Sequence, residues 1–147
     1  MFTQRRIIVH HSLTKDSQTV SWGAIRYFHI TTNGFYDIGY HGGCELVQSG
    51  EHRYYEILIG RDWFKEGAHC QGENYDSLGF CFVGDFDNEL IPFTQLGKGA
   101  EFIAMWCRMF NLSVDDIYPH RWFNNQKTCP GKLFSMTDLK DLIRSYI

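Results

Sequence analysis

Arg6-Ile7-Ile8-Val9-His10-His11-Ser12 is the stretch from which the fold is read. Three β-branched residues in a row make Arg6 to His10 a buried strand, because Ile and Val pack well on a pleated surface. The strand ends in polar side chains, and the pleat sends His10 and His11 to opposite faces. Leu78 to Val83, with Phe80, Phe82 and Val83, is a second apolar run of strand length and predicts a central strand closed by Gly84-Asp85. Ile38 to Val47 and Tyr54 to Ile59 predict two more strands around the hairpin signal Ser49-Gly50-Glu51. Ile117-Tyr118 predicts a short one leading into His120.

Helical spacing alternates with these strands. Trp22, Ile25 and Phe28 predict a helix over Val20 to Thr32, with Ser17 and Thr19 as candidate caps and Asn33-Gly34 as its stop. Thr94 to Phe110 carries a stripe of Phe102, Ile103, Trp106, Met109 and Phe110 and takes Thr94 as cap. Thr137 is the expected cap of a final helix with Leu139, Leu142, Ile143 and Tyr146 on one face. Gly67 to Tyr75 reads as a loop. Strands interleaved with helices predict an α/β protein: a single domain over residues 1–147, with a mixed central β-sheet flanked by helices.

Composition narrows the function classes. At 147 residues the chain can bury a core that needs no staples. The formal net charge is -3 and no block of Lys or Arg occurs, so nothing points to duplex nucleic acid. No apolar run reaches the length of a membrane span. Met1-Phe2-Thr3-Gln4-Arg5-Arg6 lacks the apolar region and small-residue cleavage site of a secretory signal, which predicts a first residence in a cytoplasm. The five cysteines are odd in number and irregularly spaced, so reduced thiols are expected rather than a disulfide framework.

The chemistry concentrates in Pro119-His120-Arg121-Trp122-Phe123-Asn124-Asn125-Gln126-Lys127-Thr128-Cys129-Pro130-Gly131. This loop holds an imidazole, a thiol and a cation. With His10 it yields two imidazoles and one thiolate, the three-ligand set of a catalytic zinc site whose fourth position stays open. The residues alone leave a plainer reading available: a hydrogen-bonded strand-end His10 and an inert, buried Cys129 before a Pro-Gly turn.

Five motifs in order decide between them: Ile8-Val9-His10-His11-Ser12-Leu13-Thr14, Asp37-Ile38-Gly39-Tyr40-His41, Gly67-Ala68-His69, Asn74-Tyr75-Asp76-Ser77-Leu78-Gly79-Phe80-Cys81-Phe82-Val83-Gly84, and the His120 to Gly131 loop. The set resembles the zinc-dependent N-acetylmuramoyl-L-alanine amidases, which include phage lysozymes of the amidase type and animal peptidoglycan recognition proteins. The resemblance runs from about residue 6 to residue 134. It implies that His10, His120 and Cys129 bind Zn2+, that Tyr40 and Lys127 are catalytic, and that His69, with His41, lines the substrate groove. It further implies a monomeric hydrolase acting on the cell wall, as an endolysin does. Two departures stand out. The His120 to Cys129 spacing is one residue longer than the common family spacing, to be absorbed by a bulge around Trp122 to Gln126. Cys81 also stands where some bacterial relatives carry a glutamate, and is expected to pack rather than to ligate.

Other readings stay open. Some members of this family bind peptidoglycan without cutting it, and phage lysozymes of this type also bind a phage RNA polymerase, so a regulatory protein partner is an alternative role. A Cys-His thiol hydrolase would use Cys129 as nucleophile instead.

Overall fold

The computed structural model describes residues 3–14 and 21–147. In chain order its elements are β1 (Arg6–His11), α1 (Trp22–Thr31), β2 (Gly42–Ser49), β3 (His52–Ile59), β4 (Ser77–Phe82), α2 (Phe93–Phe110), β5 (Ile117–Pro119) and α3 (Met136–Arg144). Single 3-10 turns at Asn74–Asp76, Val114–Asp116 and His120–Trp122 join them. The strands form one sheet in the order β3-β2-β4-β1-β5. β1 pairs in parallel with β4 and β5, β2 pairs in parallel with β4, and β2 and β3 form an antiparallel hairpin. The expected mixed α/β sheet is what the chain builds.

The pleat divides this sheet into two functional faces. Ile7 and Val9 of β1, with Leu78, Phe80 and Phe82 of β4, enter the main core with Ala100, Ile103, Ala104 and Trp106 of α2 and Leu139 and Ile143 of α3. On the other face Cys81 joins Trp22 and Ile25 of α1, Ile38 and Val83 in a smaller cluster. His10 is paired in register with Cys81, and His11 with Phe82, at the C-terminal ends of these parallel strands. That edge is where an open α/β sheet usually presents a ligand.

Element ends differ from expectation where several candidates compete locally. The α1 cap is Ser21, whose hydroxyl accepts from the Ala24 amide; Ser17 and Thr19 lie outside the described residues. α2 starts behind Pro92 with no side-chain cap, so Thr94 falls inside its first turn. α3 is capped by Ser135, not Thr137, because the Ser135 hydroxyl reaches the Asp138 amide. Tyr146 lies beyond the end of that helix and is exposed.

The largest shift is at β2, which starts at Gly42 and not Ile38. Residues 38–41 spend several backbone groups on loops: Ala68 N–H donates to Gly39 O, Arg61 N–H to Tyr40 O and Gly60 N–H to His41 O. Tyr40 therefore sits on a braced turn ahead of the strand. Gly50, at φ +61, supplies the β2–β3 turn. Among the described residues no helix is long and apolar enough to cross a membrane. All five cysteines are free and buried.

Candidate metal centre

His10, His120 and Cys129 reach one point from three parts of the chain. The end of β1 presents His10, the 3-10 turn after β5 presents His120, and the loop before Pro130 presents Cys129. One ligand atom from each lies within 4.8 Å of the other two. Nδ1 of His10 is 3.7 Å from Cys129 Sγ, and the His10 and His120 ring centroids are 4.6 Å apart. Zinc bonds of about 2.1 Å to nitrogen and 2.3 Å to sulfur, at tetrahedral angles, separate those atoms by about 3.6 Å. Two imidazoles and a thiolate are also donors that suit zinc over a hard, oxygen-seeking cation. The residues fit the ion.

Each donor is held from behind. The His11 backbone N–H donates to Cys129 Sγ at 3.3 Å. The Cys129 loop is tied on both flanks by Asp87, whose carboxylate accepts from the Thr128 hydroxyl and the Lys132 amide, both at 2.9 Å. Arg121 crosses beneath it, donating to the Thr128 and Gly131 carbonyls. Asn124 closes the turn between His120 and Cys129: its carbonyl accepts from Lys127 N–H and its side chain from Gln126 N–H. The region expected to absorb the extra residue is thus an ordered turn. Asp87 and Arg121 had no local sequence signal, because they act across the fold on carbonyls, a hydroxyl and an amide.

Burial sets the protonation of the donors. It drives His10 well below the usual imidazole value, with the neighbouring His69, His120 and His11 adding to the effect. His120 is lowered by burial and then by the Lys127 ammonium. The Cys129 thiol is pushed up to about 12 by burial, against the opposing pull of the His11 N–H, Lys127 and Arg121. The imidazoles are therefore neutral and ready to ligate near pH 7. The thiol keeps its proton until a cation displaces it, which couples metal binding to proton release.

Tyr40 and Lys127 flank the cluster. The Tyr40 ring centroid is 5.2 Å from that of His10, and Trp22 and His29 hold its other sides. Burial raises its hydroxyl well above 10, and the buried thiols of Cys81 and Cys129 push the same way, so it stays protonated. Lys127 is exposed on the loop, with its charge felt at both His120 and Cys129. Cys81 is wholly buried beside Tyr40 and is not one of the convergent donors.

The two expected groove residues are buried. His41 is completely buried; its Nδ1 accepts from the Gly79 amide at 3.0 Å and its Nε2–H donates to the Lys65 carbonyl at 2.8 Å. His69 is buried under His10, with Nδ1 2.9 Å from His10 Nε2. His69 is held between His10 and Ser77, and His41 between the Lys65 carbonyl and the Gly79 amide. The hollow that does open beside Tyr40 measures about 490 Å³ and is lined by Ser12, Thr14, Tyr27, Phe28 and His29 among others. Phe28 had read as part of a helix stripe, and the exposure of Tyr27 and Phe28 marks both as groove candidates.

A family model described as N-acetylmuramoyl-L-alanine amidase matches residues 2–132. Peptidoglycan-recognition protein 2 of Holotrichia diomphalia is 33% identical over 117 residues, covering 76% of this chain and 58% of that protein. The endolysin of Enterobacteria phage T3 is 37% identical over 87 residues, covering 59% of this chain and 52% of its own length. The chain thus spans a little over half the length of these relatives. The solved structure of N-acetylmuramoyl-L-alanine amidase LysC from Clostridium intestinale URNW superposes with a TM-score of 0.79 at 23% identity, over 97% of this chain and 87% of that one, and shares its fold.

Proposed function

The chain belongs to the N-acetylmuramoyl-L-alanine amidase family, and from that premise we propose that it is a zinc-dependent amidase that cuts the bond between N-acetylmuramic acid and L-alanine in peptidoglycan. The observation that carries this reading is the convergence of His10, His120 and Cys129 donor atoms within 4.8 Å, beside Tyr40 and the Lys127 charge. Residues 1–147 act as one amidase unit, as a monomer, on the bacterial cell wall, in the manner of a phage endolysin.

A zinc ion held by His10, His120 and Cys129 would make a water nucleophilic near neutral pH and polarise the amide carbonyl. The remaining tasks fall to the protein. Attack on the amide puts negative charge on the carbonyl oxygen, and the Lys127 ammonium, on an exposed loop next to the donors, stabilises it. The Tyr40 hydroxyl, protonated and buried on one side, orients the attacking water and passes a proton. The alanine nitrogen leaves as an amine and the muramic acid keeps the carboxylate. The hollow along Ser12, Thr14, Tyr27 and Phe28 supplies the wall against which the stem peptide lies. Burial, which pushes the Cys129 thiol up, disfavours it as a nucleophile, although His10 Nδ1 lies 3.7 Å from Cys129 Sγ.

The test is to incubate the protein with purified peptidoglycan and count new L-alanine amino termini, with and without a chelator and zinc restoration. Chelator-sensitive, zinc-restored release is expected. Binding to peptidoglycan with no new amino termini would assign the chain to the non-cutting members of its family. Chelator-resistant release that stops on alkylation would restore the thiol mechanism.

A further inference from the structure

Beneath His10 lies a file of polar groups that the catalytic reading does not use. His10 Nε2 is 2.9 Å from His69 Nδ1, His69 Nε2 is 3.3 Å from Ser77 Oγ, and Ser77 Oγ is 2.6 Å from the Glu73 carbonyl oxygen. His10, His69 and Ser77 are all buried, Ser77 completely.

The direction of every proton in this file follows from its far end. A backbone carbonyl can only accept, so the single Ser77 hydroxyl proton goes to Glu73 O. Ser77 Oγ can then only accept from His69, which places a proton on His69 Nε2. A neutral imidazole carries one proton, so His69 Nδ1 has a lone pair and accepts from His10 Nε2–H. That leaves His10 Nδ1 bare, and Nδ1 is the atom that faces Cys129 Sγ. The opposite arrangement would protonate the nitrogen that has to ligate.

We propose that Ser77, acting through His69, is a positioning residue that fixes the tautomer of His10 and so presents an unprotonated Nδ1 to the metal. The surroundings hold the relay rigid. A Cβ on Gly67 would stand 2.4 Å from the His69 ring, and one on Gly79 2.5 Å from it, so bare backbone encloses the imidazole on both sides. The Asn74 side-chain oxygen takes the backbone N–H of His69 at 2.8 Å and of Cys70 at 2.9 Å, pinning the loop that carries the ring. His41 does not compete for His69, since both its nitrogens are engaged elsewhere. Ser77 opens β4 and is paired with Arg6, so the signal starts at the strand end remote from the donors. It runs along one face of the sheet, from the start of β4 to the end of β1, through one imidazole.

The proposal rests on His10 being a metal ligand, but its test does not depend on turnover. Long-range nitrogen–proton correlation spectra of the metal-free wild type should show His10 and His69 both protonated at Nε2. A His10 protonated at Nδ1 overturns the proposal, even in a protein that binds zinc and cuts peptidoglycan. Ser77→Ala removes the hydroxyl that accepts from His69 and leaves only the Ser77 backbone carbonyl as a partner for that ring. It should produce mixed tautomers at both rings and weaken zinc binding about 10- to 100-fold in chelator competition, the usual cost of losing an outer hydrogen-bond partner. Ser77→Thr, which keeps the hydroxyl, should restore both. Unchanged tautomers and unchanged zinc affinity in a folded Ser77→Ala protein would overturn the relay. If that variant does not fold, the wild-type spectra alone decide.

Discussion

Cys129 Sγ stands 3.7 Å from His10 Nδ1, although 119 positions of sequence separate the two residues. The parallel pairing of β1 with β5 brings this about: β5 runs beside β1 and delivers the following loop to the strand end where His10 sits. Cys129→Ser keeps the shape of the side chain and removes the soft donor. We expect zinc affinity to fall by more than about 100-fold, since even outer partners are worth 10- to 100-fold. Chelator competition measures this, and an unchanged circular dichroism spectrum would show that the loss is local. Retained tight binding in this variant would remove Cys129 from the ligand set.

Lys127 and Tyr40 should separate from the metal in their effects. Lys127→Ala is expected to lower kcat about 100-fold or more, on the order of 3 kcal/mol of transition-state stabilisation, with KM little changed. Tyr40→Phe keeps the ring against Trp22 and His29 and removes the hydroxyl; a loss of about 100-fold or more in kcat is expected. Zinc affinity should stay near wild type in both, because neither side chain is a donor. A variant that loses activity only by losing zinc would assign that residue a structural role.

How much of this could be read from the chain varies with the range of the interaction. β1 was legible because Ile7, Ile8 and Val9 declare a strand locally, and a two-residue pleat separates His10 from His11 without tertiary information. His11 does take the other face, stacking near Phe86 and accepting its amide on Nδ1. The start of β2 was not legible: Ile38 and Tyr40 alternate as a strand would, yet loop amides capture their neighbours. The caps failed where hydroxyls lie close together, as with Ser135 and Thr137. The candidate donors were read through ordered motifs, and Ser77 lies inside one of them with its hydrogen-bonding role unmarked, whereas Asp87 acts on the Cys129 loop from more than 40 residues away and left no local pattern.

Asp87 offers a test of how far loop geometry controls the metal. Its two oxygens grip Thr128 and Lys132, one residue before and three residues after Cys129. Asp87→Ala frees both grips and should weaken zinc binding about 10-fold or more, by the same outer-partner argument. It should also destabilise the protein by about 1–3 kcal/mol, because two acceptors disappear. Asp87→Asn keeps one oxygen acceptor, so its zinc affinity should fall between the wild type and the alanine variant. Equal affinities in all three would mean that Arg121 and the His11 amide hold the loop unaided.

Acid should unfold the metal-free protein through its buried histidines. Burial is the main force lowering His41, which falls to about 4; Arg61 also lowers it, while the Lys65 carbonyl and Asp62 pull the other way. In the unfolded chain an imidazole titrates near 6.5. Between pH 6.5 and about 4 the unfolded state therefore binds the proton that the folded state refuses, and stability rises with pH across that window. The contribution is fully present above pH 6.5 and is lost as pH falls to about 4, a total loss of about 3 kcal/mol for His41. Burial lowers His10 and His69 in the same direction, so they steepen the slope. His41→Gln retains an N–H for the Lys65 carbonyl and an oxygen for the Gly79 amide, but cannot titrate. Urea unfolding of the metal-free proteins at pH 7 and pH 4.5 should show a smaller acid loss in the variant, by most of the His41 share. An identical loss in both would mean that His41 is already protonated in the fold and that its bond to Gly79 N–H does not exist in solution.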